Sequence, residues 1–252
     1  MSLQEVTPSR ARDATRRVVD PTQRRAEIVV AALFLATAAA SIPTAFVLDP
    51  TLNAPDYLAA ISLNPIAVAL GSVLWSINNV GIVFIAVFLL PVLKKLDETI
   101  AFGYLATRLI EGTIMMIGVV ATLALIPLSQ DFVRAGAPQG SSYQTLGDVL
   151  KQVRFLCLSQ TTLPLLGLGG LLFVGQLFRF HLVPRSISGV GLIGYALVFG
   201  GGLASWFGVL DARPGGSATA LALPVAAFEI ILLPFWLFFR GFKMPEATRV
   251  SR

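Results

Sequence analysis

Six long apolar stretches constrain the fold of this 252-residue chain more than any motif does. They cover residues 26–48, 65–93, 99–126, 153–178, 187–209 and 219–241. About 20 apolar residues in an α-helix cross a hydrocarbon core of roughly 30 Å, so each stretch is long enough to span a bilayer. Backbone N–H and C=O groups inside the hydrocarbon core must find hydrogen-bond partners within the protein, so helices are the expected form. The sequence therefore predicts an all-α, polytopic membrane protein with six transmembrane helices in one bundle.

The composition agrees with that prediction and indicates one domain. Hydrophobic residues make up 55% of the chain and charged residues only 13%, whereas soluble domains carry about 25% charged residues. No long polar insertion interrupts the apolar stretches. We predict a membrane domain over 26–243, a disordered cytoplasmic tail over 1–25 and a second cytoplasmic tail over 244–252.

The positions of the basic residues predict orientation. The side that holds both termini would carry fourteen Lys and Arg residues and the other side only four. This excess is typical of the cytoplasmic side, so we expect a cytoplasmic-membrane protein with both termini inside the cell. The pI of about 9.8 does not indicate nucleic-acid binding, because the basic residues lie in short clusters beside apolar stretches. The expected partner is the lipid bilayer.

Three charged residues lie deep inside the predicted spans, away from their ends: Arg108, Glu111 and Glu229. Each costs roughly 2.5–3.5 kcal/mol at the centre of a bilayer, so the chain needs either a pairing or a task for them. Arg108 and Glu111 are three residues apart and share a helix face. Arg108 and Glu229 both lie ~15–17 Å from the inner ends of their spans, which allows a bridge between helices. Asn78 and Asn79 lie at a similar depth and complete the predicted polar network.

The function of this network stays open at the level of sequence. It either locks the bundle or binds a small molecule or ion in a polar cavity. The leading hypothesis is a non-enzymatic membrane component, and the alternative is a small ion- or proton-coupled solute transporter. An intramembrane enzyme is the third hypothesis.

Motifs for catalysis or cofactor binding have little support. The chain lacks G-x-S-x-G, Walker and H-E-x-x-H patterns, and His181 is its single histidine. The pattern G-x-G-x-x-G at 189–194 opens the fifth apolar stretch without a preceding strand, which favours helix packing over dinucleotide binding. We therefore expect no catalytic residues, no metal site and no cofactor. Whether the protein is an enzyme stays uncertain, and the sequence favours that it is not.

Small residues recur every four positions in two spans. They are Ala196, Gly200, Ala204 and Gly208 in the fifth, and Ala32, Ala36, Ala40 and Thr44 in the first. Such spacing lets helix backbones approach closely. The partner helix is either internal or belongs to a second subunit, so a homo-oligomer is one of the open alternatives.

The segments between spans are modest. Asp56 and the residues after it predict a short capped interfacial helix before Pro65. Residues 129–147 contain turn residues around 136–142, which predicts a loop.

Several segments together resemble a bacterial family of integral membrane proteins, domain-of-unknown-function family 4386. They are PVLKKLDETIAFGYLATRLIEG (91–112), AGAPQGSSYQTLG (135–147), FRFHLVPRSISGVGLIGY (178–195) and LPVAAFEIILLPFWLFFRGFK (223–243). The matching positions include Arg108, Glu111 and Glu229. The resemblance implies a six-helix bacterial membrane protein and supplies no activity.

Overall fold

The regular structure of this protein is helical. The computed structural model describes residues 21–138 and 140–245, apart from the side chain of Thr22. Within those residues there is no strand. Six helical passes are long and apolar enough to cross a membrane: Gln23–Val47, Pro65–Leu93, Glu98–Arg134, Ser142–Arg179, Arg185–Trp206 and Ser217–Phe239. The six-span, all-α prediction is confirmed, and the passes are called spans one to six below.

Several spans are built from more than one helix. The helices are α1 Pro21–Ser41, α2 Thr44–Val47, α3 Asp49–Leu52, α4 Tyr57–Leu63, α5 Pro65–Leu93, α6 Glu98–Arg134, α7 Ser142–Phe155, α8 Thr162–Arg179, α9 Arg185–Trp206, α10 Ser217–Ala220, α11 Leu223–Ala226 and α12 Leu233–Phe239. Two π-helical segments, Leu156–Gln160 and Ala227–Leu232, lie within spans four and six.

The helix ends depart from the predicted boundaries at two places. Helix α1 begins at Pro21, within the predicted tail 1–25, and the rest of that tail lies outside the described residues. Helix α6 continues through Pro127 to Arg134, and α7 begins at Ser142, so most of the predicted loop 129–147 is helical. One proline removes one helical hydrogen bond, and the packing on both sides of it keeps the helix intact. Of the C-terminal tail, residues 246–252 lie outside the described part.

The predicted interfacial helix is present as α4. Asp56 occupies its N-cap position but its side chain makes no capping hydrogen bond. Asn64 instead caps the next helix, α5, where its side chain accepts a hydrogen bond from the Ala67 N–H at 3.3 Å. The cap together with Pro65 in the first turn explains why span two starts at Pro65.

Both π-helical segments stand immediately before a proline-containing turn, with Pro164 and Pro234 following them. Proline donates no backbone hydrogen bond, so carbonyls before it need other partners. In span four, the Thr162 hydroxyl donates to the Cys157 carbonyl at 2.7 Å. Widened turns of this kind are often found at functional sites because they re-aim side chains.

Glycines bring spans four and five into close contact. A Cβ on Gly167 would lie 2.5 Å from the Phe199 backbone N, and one on Gly202 would lie 2.6 Å from Pro164. Within the G-x-G-x-x-G pattern, Gly191 packs on Phe228, as the helix-packing interpretation predicts. Gly200, by contrast, is exposed on the outer surface of the bundle.

The described part of the bundle has one large apolar core and two smaller ones. The large core extends from the terminal face, where α1 begins and α12 ends, through Phe173 to Ala218 in α10 at the opposite face. A smaller core at the opposite face gathers α3, α4 and parts of α5 and α6 around Leu58. The candidate site borders the large core and the third core, which contains Met115 and Leu158.

Candidate functional site: a polar cavity inside the bundle

Helix α6 supplies a sealed ion pair. Arg108 Nη1 donates to Glu111 Oε2 at 2.7 Å, and each side chain is only 3% exposed. The spacing of three residues puts both on one face of the helix. At this degree of burial the two opposite charges compensate each other, so the pair carries little net charge.

Glu229 joins this pair from span six. Its Oε1 lies 3.9 Å from Arg108 Nη2 and accepts a hydrogen bond from the Tyr195 hydroxyl at 2.5 Å. Glu229 sits in the π-helical segment Ala227–Leu232, and its side chain is 25% exposed. Among the residues that the structure describes, none donates a hydrogen bond to its second oxygen, Oε2.

Aromatic packing holds the polar groups in place. The Tyr104 ring stacks on Phe173 at 5.2 Å between centroids, and the Arg108 guanidinium lies 5.4 Å from the centre of the Tyr104 ring. Tyr195 packs edge-on against Phe228 at 6.0 Å. These contacts limit how far Arg108 and Tyr195 can move without disturbing the core.

Glycines make room for the same side chains. A Cβ on Gly169 would lie 2.8 Å from the Thr107 hydroxyl and 3.6 Å from Arg108 Nε. A Cβ on Gly170 would overlap the Tyr195 ring. The glycines of α8 therefore let α6 and α9 bring their polar side chains together at the centre of the bundle.

The cluster borders a cavity of about 240 Å³. The walls come from spans one, two, three, four and six. Its polar lining residues are Thr37, Ser41, Trp75, Asn78, Tyr104, Arg108, Glu111, Thr162 and Glu229, and its apolar ones are Phe34, Ile82, Ile85, Met115, Leu158, Leu163 and Leu166. Both π-helical segments contribute to these walls, through Leu158 and Glu229. Arg108, Glu111 and Glu229 give part of the cavity wall charge, and most of the wall surface is hydrocarbon.

The two asparagines of the predicted network have different surroundings in the structure. Asn78 lines the cavity, and its side-chain amide lies 3.4 Å from Asn79 Oδ1. Asn79 is 1% exposed and lies behind the wall, where its carbonyl approaches Gly112 of α6. The structure therefore brings Arg108, Glu111, Glu229 and Asn78 to one cavity and places Asn79 at a helix crossing.

Sequence reasoning missed several residues of this site, among them Tyr195 and Trp75. Tyr195 lies ten residues into α9 from Arg185, which is ~15 Å, so the depth count that located Glu229 would have located it too. Trp75 lines the cavity, and its indole Nε1–H is buried without a hydrogen-bond partner among the described residues. Nothing in the local sequence distinguishes this tryptophan from one that faces lipid.

A second Arg–Glu pair, in which only the glutamate is buried, lies at the terminal face. Arg24 donates to the carbonyls of Leu237 and Phe238 and pairs with Glu27 at 3.3 Å. Glu27 Oε1 accepts from the Phe242 N–H at 3.0 Å and from the Gln23 side chain at 2.8 Å. We call Arg24, Glu27 and these backbone groups the clasp, since they join span one to the end of span six.

A third polar group lies at the opposite face. Arg154 pairs with Asp49 at 3.1 Å, and the Tyr57 hydroxyl lies 2.9 Å from Asp148. Lys151 lies 4.0 Å from the centre of the Tyr57 ring. Burial raises the pKa of Tyr57, and the hydrogen bond and charge of Asp148 act in the same direction, so the phenol stays neutral and donates. These contacts join α3 and α4 to α7.

Comparisons with known proteins place the chain in a family without an assigned activity. A family profile described as Domain of unknown function (DUF4386) matches residues 29–241. No curated protein and no solved structure gives a significant match. The family resemblance seen in the sequence is confirmed over nearly the whole membrane domain.

Proposed function

Because this chain belongs to the DUF4386 family, whose description names no activity, we propose from geometry that it binds a small solute inside the membrane. In this proposal the protein is non-enzymatic, and the solute occupies the cavity beside Arg108, Glu111 and Glu229. Intramembrane ionisable groups beside a cavity are the usual mark of a solute or ion pathway.

The difference in exposure within the charged cluster carries this proposal. Arg108 and Glu111 are each only 3% exposed, whereas Glu229 keeps a quarter of its side chain accessible and has one oxygen without a donor among the described residues. A network that served only to lock helices would gain from burying and pairing that oxygen, since buried polar atoms are normally hydrogen-bonded. The unpartnered indole N–H of Trp75 in the same wall points the same way.

Substituted cysteines test whether the cavity takes up solutes. In a Cys157→Ser background, which removes the one native thiol, Leu166→Cys places a thiol in the cavity wall. Val198→Cys is the matched control, because Val198 is fully buried in the large apolar core and does not line the cavity. Both variants are treated with a small, water-soluble, charged methanethiosulfonate reagent in lipid nanodiscs, and modification is read by mass spectrometry.

We expect the cavity thiol to react and the core thiol to stay unmodified. Reaction at both positions would mean that the reagent or the substitution opens the bundle, and the comparison would then be repeated with Thr162→Cys, a second lining position. If Leu166→Cys and Thr162→Cys are both as unreactive as the Val198→Cys control, water-soluble molecules do not reach the cavity and the proposal of solute binding is wrong.

A transporter is the second candidate function, and the charge balance favours it. The cluster contains one cation and two carboxylates, so a proton or a cation is needed to neutralise it. Transport needs access from both faces, whereas a binding protein needs access from one. In sealed vesicles, reaction of Leu166→Cys with a membrane-impermeant reagent from each side in turn would support transport. Reaction from a single side only would contradict it.

We also propose that the terminal face is cytoplasmic and that the membrane is the cell membrane. The described basic residues at that face outnumber those at the opposite face, where Arg134, Lys151, Arg154 and Arg213 lie. The excess matches the positive-inside rule. A cysteine introduced at Lys95 should be labelled in inside-out vesicles and protected in intact cells.

A further inference from the structure

We infer that the solute is a small monovalent organic cation with an apolar body, and that Oε2 of Glu229 is its counter-ion. This inference rests on the proposed solute-binding function and names the class of ligand. It follows from three properties of the cavity: its charge, the free oxygen and the composition of its walls.

The charge of the site favours a positive ligand. Arg108 is committed to Glu111 at 2.7 Å, while its contact with Glu229 is 3.9 Å, beyond hydrogen-bond distance. Tyr195 gives Glu229 a hydrogen bond but no charge. The site therefore holds one carboxylate more than it holds cations, and an unpaired buried charge is costly. An anion would add to this excess, and a neutral solute would leave it unchanged.

The free oxygen gives that positive charge a specific place. Both protein contacts of Glu229 use Oε1, so within the described part of the chain Oε2 has no donor. An ammonium group can donate to Oε2 without displacing Tyr195. Hydrogen bonds between ionised partners are the stronger ones, which makes this oxygen the anchor of the ligand.

The walls decide between an organic and an inorganic cation. Inorganic cations are held by several converging oxygen ligands. Thr37, Ser41 and Thr162 bring hydroxyls to the walls, but each hydroxyl already donates to a backbone carbonyl of its own span. Phe34, Ile85, Leu163 and Leu166 offer only hydrocarbon. An apolar cavity of about 150 Å³ accommodates benzene, so the larger volume here accepts about ten non-hydrogen atoms. A short aromatic or aliphatic amine matches both the charged end and the hydrocarbon walls.

Three probes of similar shape test the ligand class: phenethylammonium, 2-phenylethanol and phenylacetate. Their dissociation constants are measured by isothermal titration calorimetry on the full chain in nanodiscs. We expect the cation to bind at least about tenfold more tightly than the neutral alcohol, and the anion to show no heat of binding. In Glu229→Gln that preference should disappear while the alcohol binds as before.

Glu98→Gln is the matched control, because Glu98 is an exposed carboxylate paired with Lys94 at the terminal face. It should keep the full preference for the cation. A preference that survives Glu229→Gln, or equal affinity of the parent protein for cation and alcohol, would overturn the inference.

The two proposals fail in different ways. If the cavity thiols react but none of the three probes binds, the ligand class is wrong and solute binding stands. If the thiols are unreactive and no probe binds, both are wrong. If the alcohol binds as well as the cation in the parent, only the assignment of a cationic ligand is lost.

Discussion

Two Arg–Glu pairs with the same spacing serve different ends of this molecule. Arg24 and Glu27 lie at the terminal face, and Arg108 and Glu111 lie at the centre of the bundle. In each pair the residues are three apart on one helix, and in each pair the arginine also contacts span six. The partner in span six is what distinguishes the two.

In the clasp, the groups of span six that contact the arginine are backbone carbonyls. Arg24 donates to two carbonyls at the end of α12, and both oxygens of Glu27 accept hydrogen bonds. Gly241, at φ +67°, allows the turn that brings the Phe242 N–H to Glu27. The carboxylate of the clasp is fully used, which is what a structural joint requires.

In the central cluster, the partner is a second carboxylate. Glu229 lies 3.9 Å from Arg108, lines the cavity and, among the described residues, has no hydrogen-bond donor to its Oε2. The comparison teaches that a shared R-x-x-E spacing indicates pairing but not purpose. The role of such a pair depends on whether the contact from span six leaves every carboxylate oxygen hydrogen-bonded, as in the clasp, or leaves one oxygen without a donor, as in the central cluster.

The largest effect on stability should come from removing Glu111. Glu111→Ala leaves the Arg108 guanidinium buried with a partner only at 3.9 Å, so the free energy of unfolding should fall by about 3–5 kcal/mol. Titration with SDS in mixed micelles measures this loss. An unfolding free energy equal to that of the parent would show that Glu111 is not needed to compensate the buried charge of Arg108.

Removing Glu27 should have a smaller effect. Glu27→Ala takes the acceptor from the buried Phe242 N–H, but Arg24 is 30% exposed and can be solvated. We expect a loss of about 2 kcal/mol in the same titration. Glu98→Ala, which breaks an exposed pair, serves as the control and should change stability by less than about 0.5 kcal/mol. Equal losses for the two variants would mean that the clasp contributes no more than a surface ion pair.

Glu229→Gln should change stability least of the three. Its carbonyl oxygen can still accept from Tyr195, and the substitution removes the carboxylate that has no full counter-charge. We expect a change below about 1 kcal/mol, together with loss of preference for a cationic probe. A loss as large as that of Glu111→Ala would place Glu229 with the structural pairs and remove the contrast between the two regions.

Much of the site could be predicted because depth in a membrane can be counted along a helix. Arg108 and Glu111 are neighbours by helix periodicity, and Glu229 lies at the same depth from the same face. The structure places all three together. Asn79 shows the limit of the method, because depth does not tell which side of a helix faces the cavity and which faces the next helix.

The clasp could not be predicted from the sequence. Glu27 lies at the start of the first apolar stretch, beside several other charged residues, and its burial depends on the turn after α12, more than two hundred residues away. Tyr195 and Trp75 were missed for a related reason, since their side chains are common in membrane helices and only packing directs them to the cavity.

The sequence by itself determined the six spans, the all-α class and the position of each charged residue along its span. Those properties follow from the energetic cost of polar groups in hydrocarbon, which applies to each residue separately. Only the tertiary structure decided which carboxylate has all its hydrogen bonds and which does not, because the partners come from other helices. In Glu229, Tyr195 and Arg108 both approach Oε1, so within the described residues Oε2 has no donor, and Glu229 lines the cavity.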